Sequence, residues 1–221
     1  RARTEIRVAS VAVNEGVADA DFAVNAMKAT ARIDNATGVT RIPFELWSNH
    51  IYVHGSVDGK PAHFLVDTGG MNLLTPQAAK KLDIRGEGKL AGRGVGDDAV
   101  DVSFAHAKQV RVGDAVLDQP VFVIMDLGQL PAVEGFESDG LIGYEMFRRF
   151  GVTIDYAKHE LVLADPAKFA PPAGAHAIPF KLADRIPIIL GDLDGVPARI
   201  CVDTGSRVSL TLHAPFAREH H

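Results

Sequence analysis

An all-β fold is the expectation for this chain, and three observations carry it. Short runs of Val, Ile, Leu and Phe recur along the sequence, separated by Gly, Asp and Pro, which is the punctuation of strands joined by tight turns. Helical patterning is confined to two short stretches. The chain also repeats itself. Displaced by 136 positions, 16 of the 37 residues from 42 to 78 are identical to those from 178 to 214, without a gap. A repeat that keeps its register over such a length marks one structural unit used twice.

The elements follow in order. Ile6, Val8, Val11 and Val13 stand among polar residues and give 1–14 the look of a strand. His50–Ser56 alternates and runs into Val57-Asp58-Gly59-Lys60. Asp-Gly is the dipeptide that a two-residue hairpin turn prefers, so Phe64-Leu65-Val66 is the return strand. Thr75 caps a short helix over Gln77–Leu82, with Pro76 at the first helical position, where its missing N–H is not needed. Ala99–Phe104 alternates as a strand. Glu145–Phe150 reads as a second short helix stopped by Gly151, and Val152–Tyr156 with Glu160–Leu163 as another hairpin. Pro166, Pro171, Pro172 and Gly174 mark a linker at 166–177.

Composition narrows the function classes. Of the 221 residues, 47% are apolar and 23% charged, as in folded domains. The net charge is −5, without a basic block, and aromatic residues make up only 7%. Both features speak against a nucleic-acid partner, which needs basic patches and stacking surfaces. No apolar run reaches the ~18–20 residues of a membrane-spanning helix. The lone cysteine, Cys201, excludes a disulfide within the chain and any thiolate metal cluster. The chain opens at Arg1 and closes at Glu219-His220-His221; both ends read as cut, and no signal peptide precedes the first strand.

The repeat preserves Val66-Asp67-Thr68-Gly69 as Val202-Asp203-Thr204-Gly205. In each copy an apolar strand delivers an acid at its end, followed by a small hydroxyl and a glycine that permits close approach. Two such loops meeting about a pseudo-twofold axis would bring two carboxylates together. Like charges at ~3 Å cannot both ionise, so the pair shares a proton. One member then takes a proton from a water between them while the other donates to an amide carbonyl, which is general acid–base hydrolysis without a covalent intermediate. Aspartate before glycine is also common in plain turns, and Asp58-Gly59 and Asp194-Gly195 are of that kind. Asp67 and Asp203 differ in the apolar strand that leads into each of them.

These paired loops resemble those of the pepsin and retropepsin group of aspartic peptidases. The chain is similar to bacterial aspartyl-protease-family proteins with retropepsin-like repeats, from about Arg41 to its end. Phe64–Gly70 matches the first catalytic loop and Ile200–Ser206 the second. Gly140-Leu141-Ile142-Gly143 matches the apolar element packed behind a catalytic loop, and 147–163 the closing helix and hairpin. The resemblance implies a retropepsin-like acid-protease barrel, with one complete lobe at 41–165 and the start of a second at 178–221. Residues 1–40 would be a β segment outside the match, ending a preceding domain or adding a strand. The implied function is aspartic endopeptidase activity on an extended polypeptide, with Asp67 and Asp203 as the dyad and Thr68, Gly69, Thr204, Gly205 and Ser206 bracing the loops. No cofactor is implied. A periplasmic or envelope location comes from the resemblance alone. The alternative function is a peptide-binding or scaffolding module that keeps the fold without the activity.

Two departures from the pattern stand out. Gly70 follows the first Asp-Thr-Gly and Ser206 the second, and a serine there can hydrogen-bond a carboxylate oxygen. Gly143 lies 76 residues beyond Asp67, whereas the sequence runs only 18 residues beyond Asp203. The second lobe is then completed by further C-terminal sequence or by another chain, or else the first copy pairs with its twin in a homodimer whose dyad is two Asp67 residues.

Gly92-Arg93-Gly94-Val95-Gly96 resembles a phosphate loop only superficially, because no helix follows it. It reads as the tip of a flap hairpin or as a plain glycine-rich turn. His50, His54 and His63 raise the question of a metal. Their counterparts Ile186, Leu190 and Arg199 remove it from any chemistry the copies share, so no metal is expected, short of a site unique to the first copy. Cys201 aligns with Leu65 and is expected to be a buried small apolar residue.

Overall fold

The computed structural model describes residues 31–93, 99–128, 132, 135 and 137–220. The strand read over 1–14 lies outside them. The described chain begins with β1 (Ala31–Ile33), β2 (Val39–Pro43), β3 (Glu45–Trp47), β4 (His50–Val57) and β5 (Lys60–Val66). The turn between β4 and β5 has Asp58 at φ 51° and Gly59 at φ 79°. Two successive positive φ angles match the right-handed twist of the flanking strands, which is why Asp-Gly stands here.

After β6 (Leu73–Leu74) comes α1 (Pro76–Leu82). The Thr75 hydroxyl accepts from Ala78 N at 3.1 Å, and Asp83 ends the helix at φ 60°. The cap lies where its sequence predicts. Then follow β7 (Glu87–Arg93), β8 (Ala99–His106), β9 (Gln109–Val112), β10 (Ala115–Asp118), β11 (Val121–Met125), β12 (Gly140–Ile142), α2 (Tyr144–Phe147), β13 (Gly151–Asp155) and β14 (Glu160–Ala164). The second helix is shorter than its predicted span and begins one residue earlier. Tyr144 N and Met146 N bond Gly70 O and Gly143 O, which fixes its start, and Arg148 caps it before Phe150 turns into the core.

One long sheet runs in the order β1-β10-β9-β4-β5-β12-β6-β11-β8-β7, with β3 attached to β4. Most pairings are antiparallel, but β12 lies parallel to β5 and β11 parallel to β6. A second sheet pairs β13, β14 and β2. Phe64, Phe122, Ile51, Leu74, Leu117, Ile142, Met146 and Leu161 are fully buried in a single core cluster. The mostly β architecture expected from the sequence is present.

Residues 165–180 carry no strand and are exposed. Beyond them, β15 (Lys181–Ala183), β16 (Ile186–Leu193) and β17 (Val196–Cys201) form a separate three-stranded sheet, followed by α3 (Ala214–His220). None of residues 165–220 is buried. Cys201 is exposed, against expectation. Its counterpart Leu65 is covered because β12 lies alongside β5, and among the described residues β17 has only β16 beside it.

Candidate active site

The site starts from β5, which places Asp67 at its C-terminal end. Asp67 N donates to Ile142 O at 2.9 Å, tying the start of the loop to β12. The loop folds back on itself, with Gly69 N donating to Asp67 Oδ1 at 2.8 Å and Gly70 N to Asp67 O at 3.3 Å. The second loop repeats this pattern. Gly205 N donates to Asp203 Oδ1 at 2.9 Å, and Ser206 N to Asp203 O at 3.3 Å.

The two loops grip each other reciprocally. Thr68 N donates to Thr204 Oγ1 and Thr204 N to Thr68 Oγ1, each at 3.0 Å. The hydroxyls then donate onward, Thr68 Oγ1 to Val202 O at 2.9 Å and Thr204 Oγ1 to Val66 O at 2.8 Å. Each threonine thus acts as donor and acceptor across the axis, which a valine could not do.

The glycines set how close the loops come. A Cβ on Gly69 would lie 2.8 Å from Asp203 Cγ, and one on Gly205 2.6 Å from Asp67 Cγ. Each carboxylate therefore packs on the opposite glycine, and any side chain there would push the acids apart. Burial pushes the Asp67 carboxyl up to about 6, and repulsion from Asp203 adds to the rise, while the Gly69 N–H opposes it.

Gly140-Leu141-Ile142-Gly143 packs behind the first loop. A Cβ on Gly143 would meet Gly70 O at 2.2 Å, so backbone fills the space that a side chain would need. Buried Asn72 accepts the Gly143 N–H at 3.0 Å through Oδ1. Sequence reasoning missed Asn72, since its counterpart Val208 removes it from the repeat. It also missed the role of His50, whose Nε2 donates to Gly205 O at 2.9 Å. Asn49 Nδ2 donates to Arg207 O at 2.9 Å. The turn between β3 and β4 therefore holds the second loop in place. Buried His50 carried a signal as a polar residue at a strand start, but its counterpart is Ile186.

Ser206 takes a different partner from the one expected. Its backbone N closes the turn on Asp203 O, and its hydroxyl points along the chain to Val208 O at 3.4 Å rather than to a carboxylate. Of the flap candidates, Gly92 and Arg93 end β7, paired with Val100 and Ala99 of β8. Gly94, Val95 and Gly96 lie outside the described residues. His54 and His63 stack across β4 and β5, whereas His50 bonds the second loop.

Among solved structures, a retropepsin-like aspartic protease from Rickettsia conorii is similar at 24% identity, with a TM-score of 0.41, covering 57% of this chain and 89% of that one. No curated protein matches the sequence. The family model for aspartyl proteases matches residues 53–146, from within β4 to within α2 and including the first Asp-Thr-Gly loop. Over the stretch that holds β5, β12 and the first Asp-Thr-Gly loop, the chain is similar to the aspartyl-protease family.

Proposed function

We propose that the chain is an aspartic endopeptidase whose dyad is Asp67 and Asp203. The observation that supports this best is the reciprocal Thr68–Thr204 bonding, which holds two acids face to face over the opposite glycines. In this reading the pair holds one proton. The ionised carboxylate takes a proton from a water between the acids, and the water oxygen attacks the peptide carbonyl carbon. The protonated carboxyl donates to the carbonyl oxygen, giving a tetrahedral diol. Collapse of the diol returns one hydroxyl proton to a carboxylate, the other carboxyl protonates the amide nitrogen, and the C–N bond breaks. No covalent enzyme intermediate and no cofactor enter.

The rise of Asp67 to about 6 suits this division, since it favours a singly protonated pair in mildly acidic solution. The threonines and glycines act as positioning residues. The substrate is a polypeptide in extended form, which strand-like main-chain hydrogen bonding recognises without a fixed sequence.

The test is cleavage of a peptide library between pH 3 and 8 by the wild type, Asp67→Asn and Asp203→Asn. Loss of about 10²–10⁴-fold in each variant supports the intrachain dyad. Loss in Asp67→Asn alone replaces it with a dyad of two Asp67 residues from two copies. A folded wild type that cuts nothing overturns the peptidase reading and favours the peptide-binding alternative.

A further inference from the structure

On the outer face of the first hairpin, three metal-ligating side chains from three strands converge. Glu45 is on β3, His54 on β4 and His63 on β5, and their ligand atoms lie within 4.8 Å of one another. Glu45 pairs with Tyr52 across β3 and β4, and His54 pairs with His63 across β4 and β5, so all three share one face. The two imidazoles stack with centroids 4.5 Å apart and planes 16° apart. Glu45 Oε1 lies 3.0 Å from His54 Nε2 and 3.9 Å from His63 Nε2.

We infer that Glu45, His54 and His63 form a binding site for a borderline divalent transition-metal cation such as Zn²⁺, with water completing the shell. Bonds of about 2.0–2.2 Å at tetrahedral angles put neighbouring ligand atoms about 3.3 Å apart. The two distances to Glu45 Oε1, 3.0 and 3.9 Å, bracket that value, and all three ligand atoms lie within 4.8 Å of one another. Stacked rings 16° apart do not aim both in-plane lone pairs at one ion, so the exposed His54 ring must swing out of the stack to close the site. Two imidazoles with one carboxylate suit zinc and its neighbours in the transition series, not the oxygen-seeking Mg²⁺ or Ca²⁺. The second copy cannot build the site, because Lys181, Leu190 and Arg199 occupy the three counterpart positions. The cation therefore stands outside the dyad chemistry, and the site does not depend on the peptidase reading.

Its place in the fold gives it a structural task. Among the described residues β3 pairs only with β4. Asn49 of the β3–β4 turn and His50 at the start of β4 bond the second Asp-Thr-Gly loop. A cation shared by β3, β4 and β5 would fasten that hairpin at its open end and hold the turn against the loop.

The experiment is Zn²⁺ titration by calorimetry of the untagged, chelator-treated full chain, with thermal unfolding alongside. His220 and His221 are replaced by alanine throughout, so that adjacent terminal histidines do not bind the probe. One Zn²⁺ per chain is expected, with a raised unfolding temperature and no response to Mg²⁺. His54→Ala is the decisive variant, since the side chain is 76% exposed and its removal leaves the fold intact. It should weaken binding by more than about 100-fold, beyond the roughly 10–100-fold that a merely supporting partner costs. His106→Ala, at an exposed position of β8, should change nothing. Absence of saturable Zn²⁺ binding, or equal binding by His54→Ala, overturns the inference and leaves the trio as a carboxylate-anchored histidine stack. Asp67→Asn should bind Zn²⁺ like the wild type; loss of binding in that variant would place the ion at the paired acids and overturn the inference, whatever the outcome of the cleavage test.

Discussion

The hairpins β4–β5 and β16–β17 are one sequence unit in two surroundings. Their registers agree pair for pair after the 136-residue displacement, with Val53 opposite Phe64 in one and Ile189 opposite Ile200 in the other. Their turns agree too, at φ 51° and 79° for Asp58-Gly59 and 51° and 84° for Asp194-Gly195. Yet Val66 is fully buried while its counterpart Val202 is 42% exposed, and Leu190 is 80% exposed. Local sequence sets strand, turn and register. Burial comes from what lies alongside, and β5 has β12 while β17, among the described residues, has only β16.

The largest test of this contrast is a pair of matched truncations. Phe64 is fully buried in the core, and its loss in Phe64→Ala should cost about 3–5 kcal/mol in urea unfolding, through lost burial and the cavity left behind. Ile200 occupies the same register position without that core around it. Ile200→Ala should cost about 1 kcal/mol or less. Equal losses would break the comparison and require a packed environment for β17 that is absent from the described residues.

The matched glycines sharpen the same point. A Cβ on Gly55 would lie 2.5 Å from Arg111 O, a backbone atom of β9 that has no room to move. Gly55→Ala should therefore cost about 2–3 kcal/mol. At Gly191 the nearest atom is Ile200 Cδ1 at 2.8 Å, the end of a side chain that can turn aside. Gly191→Ala should be neutral or slightly stabilising, since alanine loses less backbone freedom than glycine on folding. Thermal unfolding of the two variants in parallel measures the difference.

What was legible in the sequence divides along the same line. The Asp-Gly turns, the Thr75 cap and the two Asp-Thr-Gly loops depend on neighbours in the chain, and each carries its signal within a few residues. The parallel pairing of β12 with β5 joins residues 76 apart, such as Phe64 and Gly140, and only the family resemblance pointed to it. Asn72, His50 and Asn49 act through contacts between distant segments, so their repeat counterparts obscured rather than revealed them. Cys201 was misjudged by alignment with Leu65, because alignment transfers local structure but not the neighbour that buries it. Glu45 escaped notice for a related reason: a lone acid on a short strand gains meaning only when β3 sets it beside two histidines.

The smallest expected effect concerns the two acids, which the hairpins deliver to one point from unequal surroundings. Asp67 ends a buried strand and its carboxyl is pushed up to about 6, chiefly by burial and then by Asp203. In the unfolded chain the same group releases its proton near 4. Between those values the folded state binds more protons than the unfolded one, so the group's contribution to stability falls as pH rises from about 4 to about 6 and stays lost above it. The side-chain amide introduced by Asp67→Asn cannot titrate, yet its oxygen can still accept from Gly69 N. The variant's stability relative to wild type should therefore climb across that window, by on the order of 1–3 kcal/mol, and level off above it. Urea midpoints at pH 4, 5, 6 and 7 measure this. Asp203→Asn removes the like charge but leaves the burial, so it should narrow the window without abolishing it. A window that vanishes in Asp203→Asn would make repulsion between the copies, rather than the embedding of the first, the main cause of the Asp67 shift.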